Sequence, residues 1–164
     1  AQESRGLGDV YKRQMLICGS LATCAQDPDP YFGPEKGKQF IGLSGNIVVD
    51  PVNTWSVATT YGQFITDQLE MGFGLGLAGG EDLDTVGLVA AKANFFVLKA
   101  QTSPYLGLTG GVAFTTDASD TAIGGQIGVQ HFVTERNAFF VEYQYLTSAD
   151  DHVSQINFGI SNYF

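Results

Sequence analysis

From residue 38 onward the chain alternates between two kinds of side chain. In "LEMGFGLGLA", Leu69, Met71, Phe73, Leu75 and Leu77 share one parity, and Glu70, Gly72, Gly74, Gly76 and Ala78 share the other. A β-strand sends successive side chains to opposite faces, so this segment has one greasy face and one small or polar face. No segment after residue 37 sustains the 3.6-residue period of a helix, whereas period 2 recurs. It predicts eight strands, over residues 38–49, 54–65, 69–79, 85–96, 104–115, 121–133, 137–146 and 153–164. The breaks carry turn chemistry: "DPVN", "TDQ", "GEDLD", "TDASD", "TER" and "SADDH". Connections this short imply antiparallel neighbours, because a parallel crossover needs a dozen residues or more. The expected fold class is all-β, an eight-stranded antiparallel up-and-down transmembrane β-barrel, whose closure removes every edge. Strands of about ten residues are also the length that a tilted membrane-crossing strand needs.

Periodicity alone allows the bulky face to point in or out. On the last strand Ile156, Phe158, Ile160 and Phe164 oppose Gln155, Asn157, Gly159, Ser161 and Tyr163. On the fifth, Leu106, Leu108, Val112 and Phe114 oppose Tyr105, Gly107, Thr109, Gly111 and Ala113. On the sixth, Ile123, Ile127, Val129 and Val133 oppose Ala122, Gly124, Gln126, Gly128 and Gln130. An eight-stranded barrel has an interior just wide enough for side chains to fill, and a full ring of Leu, Phe and Met would crowd it. A water-soluble barrel would also coat its outer face with Lys and Glu. Here the acids collect in the turns, so the greasy set is expected to face lipid, with every backbone polar group paired between strands. A soluble, lipocalin-like carrier is the alternative that the opposite assignment would require.

Composition agrees with that environment. Charged residues are 15% of the chain, with 21 glycines and 12 phenylalanines, which does not suit disorder. The net charge of −9 argues against nucleic acid as a partner, since phosphate binding needs a basic face. Residues 26–164 carry five Lys and Arg against fifteen Asp and Glu.

The first 37 residues read differently. "MLICGSLATCA" is too short to span a bilayer as a helix and fits the apolar core of a truncated signal peptide, residues 15–25, with Thr23 at −3 and Ala25 at −1 of a cleavage site. "LATC" also resembles a lipoprotein cleavage box, although Thr23 is a poor residue before its cysteine. Residues 1–14, "AQESRGLGDVYKRQ", have no strand or helix period, and "DVYKRQ" resembles the translated end of a sequencing adapter. They read as an artefact of sequencing, the alternative being an unusual basic n-region built on Lys12 and Arg13. Residues 26–37, "QDPDPYFGPEKG", read as a periplasmic lead-in without regular structure, ahead of a barrel over residues 38–164. Cys18 and Cys24 are the only cysteines, so the barrel has no disulfide framework or cysteine-based metal site.

Several segments resemble the small outer-membrane β-barrel family of Gram-negative bacteria. They are "YGQFITDQLEMGFGLGLA", its echo "VQHFVTERNAFFVEYQY" (Phe132-Val133-Thr134-Glu135 repeating Phe64-Ile65-Thr66-Asp67), "SPYLGLTGGVAF" and the terminal "INFGISNYF". The resemblance implies a bacterial outer-membrane location, periplasmic termini, and outer-membrane lipid and lipopolysaccharide as surroundings. It also implies that Phe158, Ile160 and Phe164 form the signal read by the barrel-assembly machinery. The family includes structural barrels, adhesion-related proteins, narrow channels and a few lipid-modifying enzymes. The short loops here argue against adhesion.

The candidate chemistry lies in the lumen. Glu70, Lys92 and Glu142 fall on inward faces, although the fourth strand's parity is ambiguous, and Lys92 and Glu142 are placed to pair across the barrel. Gln126, Gln144, Gln155 and Asn157 would complete a polar network. Buried charges must be paired or hydrogen-bonded, and such a network is either a structural plug or the gate of a narrow, porin-like channel. Inward glycines leave room for Phe40, Tyr105 or Phe140 to lean into the lumen. A phosphate-cradling reading of "GFGLGLAGG" fails because no helix follows. Trp55, Tyr61, Phe139, Tyr143 and Tyr145 are candidates for interfacial belts. His131 and His152 make a weak metal site, and Ser148, Asp150 and His152 lie together as any polar loop might place them. No catalytic residue, metal or cofactor is expected. Asp82, Asp84, Asp117, Asp120, Asp150 and Asp151 collect in the outer loops, where divalent cations could bridge them to lipopolysaccharide phosphates. The expected role is non-enzymatic and structural, supporting envelope integrity as a monomer, with a narrow channel for small or hydrophobic solutes as the alternative.

Overall fold

The computed structural model describes residues 32–48, 54–80, 83–115, 118–148 and 152–164. The leader and its cleavage site, Cys18 and Cys24, and Asp82, Asp117, Asp150 and Asp151 lie outside the described residues. Eight strands follow one another: β1 Gln39–Val48, β2 Thr54–Phe64, β3 Leu69–Gly80, β4 Leu83–Phe96, β5 Thr102–Phe114, β6 Ser119–Phe132, β7 Asn137–Thr147 and β8 His152–Tyr163. Each pairs antiparallel with its sequence neighbour, and β8 returns to β1, so the sheet closes. At about 3.3 Å per residue and a tilt near 40°, an eleven-residue strand stands about 28 Å tall, the thickness of a hydrocarbon core.

The strands depart from the sequence expectation mainly by extension. β5 starts at Thr102 and β6 at Ser119, each two residues early, because Thr102↔His131 and Phe114↔Ser119 continue the ladder past the last alternating apolar positions. A register shift between Ala78 and Gly80 accommodates the early start of β4.

The greasy parity faces outward. Phe73, Leu75, Leu106, Ile127, Val141 and Phe158 are all exposed on the barrel wall, Phe73 at 55%. The lipocalin-like alternative needs these side chains inside and is therefore overturned. Trp55, Phe114 and Tyr145 stand exposed toward one end of the wall, and Tyr61, Phe95 and Phe139 toward the other. Two aromatic girdles around an aliphatic band are what a bilayer's two interfaces favour.

Three outward glycines are covered by aromatic rings from the residue directly opposite. The pairs are Trp55 on Gly79, Phe114 on Gly87 and Phe158 on Gly45. The same device works inside. Phe40 lies across Gly62, Tyr105 across Gly128 and Phe140 across Gly159, each again a directly opposed pair. A Cβ on Gly62 would sit 2.5 Å from the Phe40 ring, and one on Gly128 2.6 Å from Tyr105. These glycines are therefore the space into which the lumenal aromatics fold.

Candidate functional site

The site is the lumen, and it has two halves. At the end that carries the C-terminus, each even-numbered strand finishes on an inward aromatic: Phe64, Phe96, Phe132 and Tyr163. Their backbone N–H groups donate to the carbonyls of Lys38, Gln68, Gln101 and Arg136, the residues just before β1, β3, β5 and β7. The backbone thus latches each ring in place. Tyr163 lies 5.2 Å from Phe132 and 6.0 Å from Phe64, and Phe64 lies 5.2 Å from Phe96 between ring centroids. Phe40 and Tyr105 join the layer, and all six rings are buried. Aromatic pairs at these separations attract beyond their area burial. This end of the barrel is solid.

The turns beneath the layer explain the repeated motif. Thr66 Oγ1 accepts the N–H groups of Gln68 and Leu69, and Thr134 Oγ1 accepts those of Arg136 and Asn137. Phe-x-Thr-Asp/Glu is thus a lumen-closing ring followed by a hydroxyl-capped turn. Asp67 in the first turn pairs with the Lys99 ammonium and accepts the Lys36 backbone N–H at 3.0 Å. The hydrogen bond from Lys99, then that from Lys36, hold its carboxyl below the ordinary range.

Above the rings lies a polar layer. Glu70, only 2% exposed, accepts hydrogen bonds from Asn94 Nδ2 at 3.0 Å and the Tyr163 hydroxyl at 3.3 Å. Gln126 donates to Asn94, Gln144 to Gln126 and Gln155 to Gln144. Asn46 extends the chain by donating to Gln155 at 2.6 Å. Asn157 reaches both Gln144 and Glu142, at 3.3 and 3.0 Å, and the Tyr105 hydroxyl donates to Glu142 at 2.6 Å. All seven lumen residues expected from the sequence point inward, and they are joined through partners that sequence reasoning had not enlisted: Asn94, Tyr105, Tyr163 and Asn46. Asn94 was obscured because β4 has an unclear parity. Register settles it: Lys92 shares a row with inward Gly72 and Thr109.

One expectation changes. Lys92 does not pair with Glu142. Its ammonium lies 3.9 Å from Glu70, across the single strand boundary between β3 and β4, and 5.4 and 5.8 Å from the ring centroids of Phe140 and Phe40. Proximity on adjacent strands wins over a span across the barrel. Glu142 instead accepts hydrogen bonds from the Tyr105 hydroxyl and the Asn157 carboxamide.

Among the described residues the lumen is hollow toward the loop end. A cavity of about 700 Å³ is floored by Lys92, Gln126, Glu142 and Gln144, and its walls are mostly Ser, Ala, Thr and Gly. His131 and His152 are elsewhere, on Thr102 and beside Tyr145. Among the described residues no three His, Cys, Asp or Glu side chains come close enough to hold a metal.

A closed eight-stranded meander with an apolar wall and a polar, partly plugged lumen decides the architecture. The fold is that of a small outer-membrane β-barrel. Solved structures agree. The N-terminal β-barrel domain of Pseudomonas aeruginosa OprF superposes with a TM-score of 0.61 at 16% identity, covering 79% of this chain and 98% of that one. Neisserial surface protein A does so at 0.58 and 14% identity, over 77% and 95%. Yersinia pestis Ail in a phospholipid bilayer nanodisc gives 0.52 and 16%, over 79% and 100%. No family model matches the chain, and no curated protein matches it by sequence.

Proposed function

We propose that this chain is a non-enzymatic barrel of the bacterial outer membrane with a structural role in the envelope, monomeric and closed to ions. The observation that carries the reading is the packed end of the lumen: four latched aromatic rings lie beneath a hydrogen-bonded polar layer. A continuous channel would need that layer to part. The surroundings are outer-membrane lipid and lipopolysaccharide, which the apolar wall with its two aromatic girdles suits, and the barrel-assembly machinery delivers the chain. Phe158, Ile160 and Phe164 stand exposed on one face of the closing strand, and Phe164 exchanges backbone hydrogen bonds with Gln39 at 2.9 and 3.1 Å.

Planar-bilayer recording tests the reading. The refolded protein is expected to give no discrete conductance steps. Steps in the unmodified protein that change size in Glu142→Ala would replace this function with a gated channel.

A further inference from the structure

The two halves of the lumen have the same strand number, yet among the described residues one is packed with rings and the other is left open. The void is written into the sequence. β2 and β3 line it with Ser56, Ala58, Gly74 and Gly76, where larger side chains would fill a barrel of this width. Protein interiors are otherwise packed to crystal density, so an empty space of about 700 Å³ lies within the size range of small-molecule sites.

Its lining has a definite chemistry. Elsewhere the bulky aliphatics face lipid, but here Val86 and Leu88 on β4 and Leu146 and Val153 on β7 and β8 point into the lumen and line the cavity from opposite walls. The floor presents one charge of each sign. Glu70 is satisfied by Asn94 and Tyr163. Lys92, by contrast, makes no hydrogen bond to any described residue; its ammonium has the 3.9 Å approach to Glu70 and two aromatic faces. Each Glu142 oxygen accepts one hydrogen bond and keeps a further lone pair. Both side chains line the cavity, and Asp120 lines it nearer the loops, where it would repel a bare anion.

We propose that the loop-end half of the lumen is a binding cup for a small zwitterion with an apolar tail, of the α-amino-acid type. Its carboxylate meets Lys92 and its ammonium meets Glu142, while the tail lies between Leu88 and Leu146. A ligand with both charges leaves the floor neutralised and is not repelled by Asp120. The cup is blind, because the aromatic layer lies beneath it, so binding does not require transport.

The test is calorimetric titration of the full barrel in lipid nanodiscs, with empty nanodiscs as control. The probes are L-2-aminooctanoic acid, octanoate and octylamine. The aminooctanoic acid is expected to bind saturably at one site per barrel and at least tenfold more tightly than either single-charge probe. Ala90→Phe, which places a ring in the cavity that Ala90 lines from β4, is expected to abolish that binding, and Lys92→Met to weaken it at least tenfold. Retained aminooctanoate binding in Ala90→Phe, equal binding of octanoate, or a signal no larger than that of empty nanodiscs would each overturn the proposal.

Discussion

At the scale of single residues the barrel is governed by volume and by satisfied polar atoms. Gly62, Gly128 and Gly159 are fixed by the rings lying against them. Gly128→Val should therefore destabilise the barrel by about 1–3 kcal/mol, since the Tyr105 ring held by Glu142 cannot retreat cheaply. Equilibrium urea unfolding from lipid vesicles measures this, and an unchanged midpoint would mean that the ring is free to move. The alternation of "GFGLGLA" makes such glycines visible in the sequence as inward positions. Which aromatic fills which glycine was legible only as a short set of candidates, because the pairing depends on strand register. The charge partner of Lys92 was not legible for the same reason: parity gives the face and register gives the neighbour. Asp67 supplies a pH prediction. Its carboxyl is held down by Lys99 and Lys36, so its stabilisation is complete above the ordinary carboxylate range and is lost as pH falls through the lowered folded value. Asp67→Asn should remove that contribution where it is present, lowering stability at neutral pH by the small amount expected of an exposed pair, leaving it unchanged below the folded value and so flattening the acid limb.

At the scale of elements, the strands were readable because each is long and its alternation is strong on one face. The exceptions are instructive. β4 carries Gly87, Ala91 and Ala93 outward beside Val89 and Phe95, and Val86 and Leu88 inward beside Ala90 and Lys92, so both faces are mixed and only the ladder to β3 and β5 orients it. The Phe-x-Thr-Asp/Glu repeat was visible as a repeat, but its purpose emerges from topology: even strands all descend to one end and deposit a ring there. Phe64→Ala and Phe132→Ala should each cost about 3–5 kcal/mol, the range for removing a buried Phe. Thr134→Ala should cost less, about 1 kcal/mol, because it loses hydroxyl bonds in an exposed turn. Unfolding followed by Trp55 fluorescence would rank the three, and a ranking with the turn variant worst would contradict the role given to the aromatic layer.

At the scale of the whole molecule, the barrel is inside-out relative to a soluble protein. Lipid replaces the core, and the lumen holds the polar groups that a soluble barrel would show to water. Among the described residues the cations outside the lumen, Lys36, Lys38, Lys99 and Arg136, lie in or beside the terminus-end segments together with Glu35, Asp67 and Glu135, while Asp120 lies at the loop end. Fold and orientation were legible because volume and charge both vote on which face is outside. The activity of the lumen was not, because a plug, a cup and a gate use the same inward residues and differ in which gaps are left unfilled.

The orientation of the apolar face is the claim on which the rest depends, and tryptophan quenching by brominated lipid tests it most directly. The single native tryptophan is replaced in Trp55→Phe, and a tryptophan is introduced either on the outer parity of β3 as Leu75→Trp or on its inner parity as Ala78→Trp. The account predicts strong quenching at position 75 and little at position 78. Quenching at 78 with protection at 75 would contradict it.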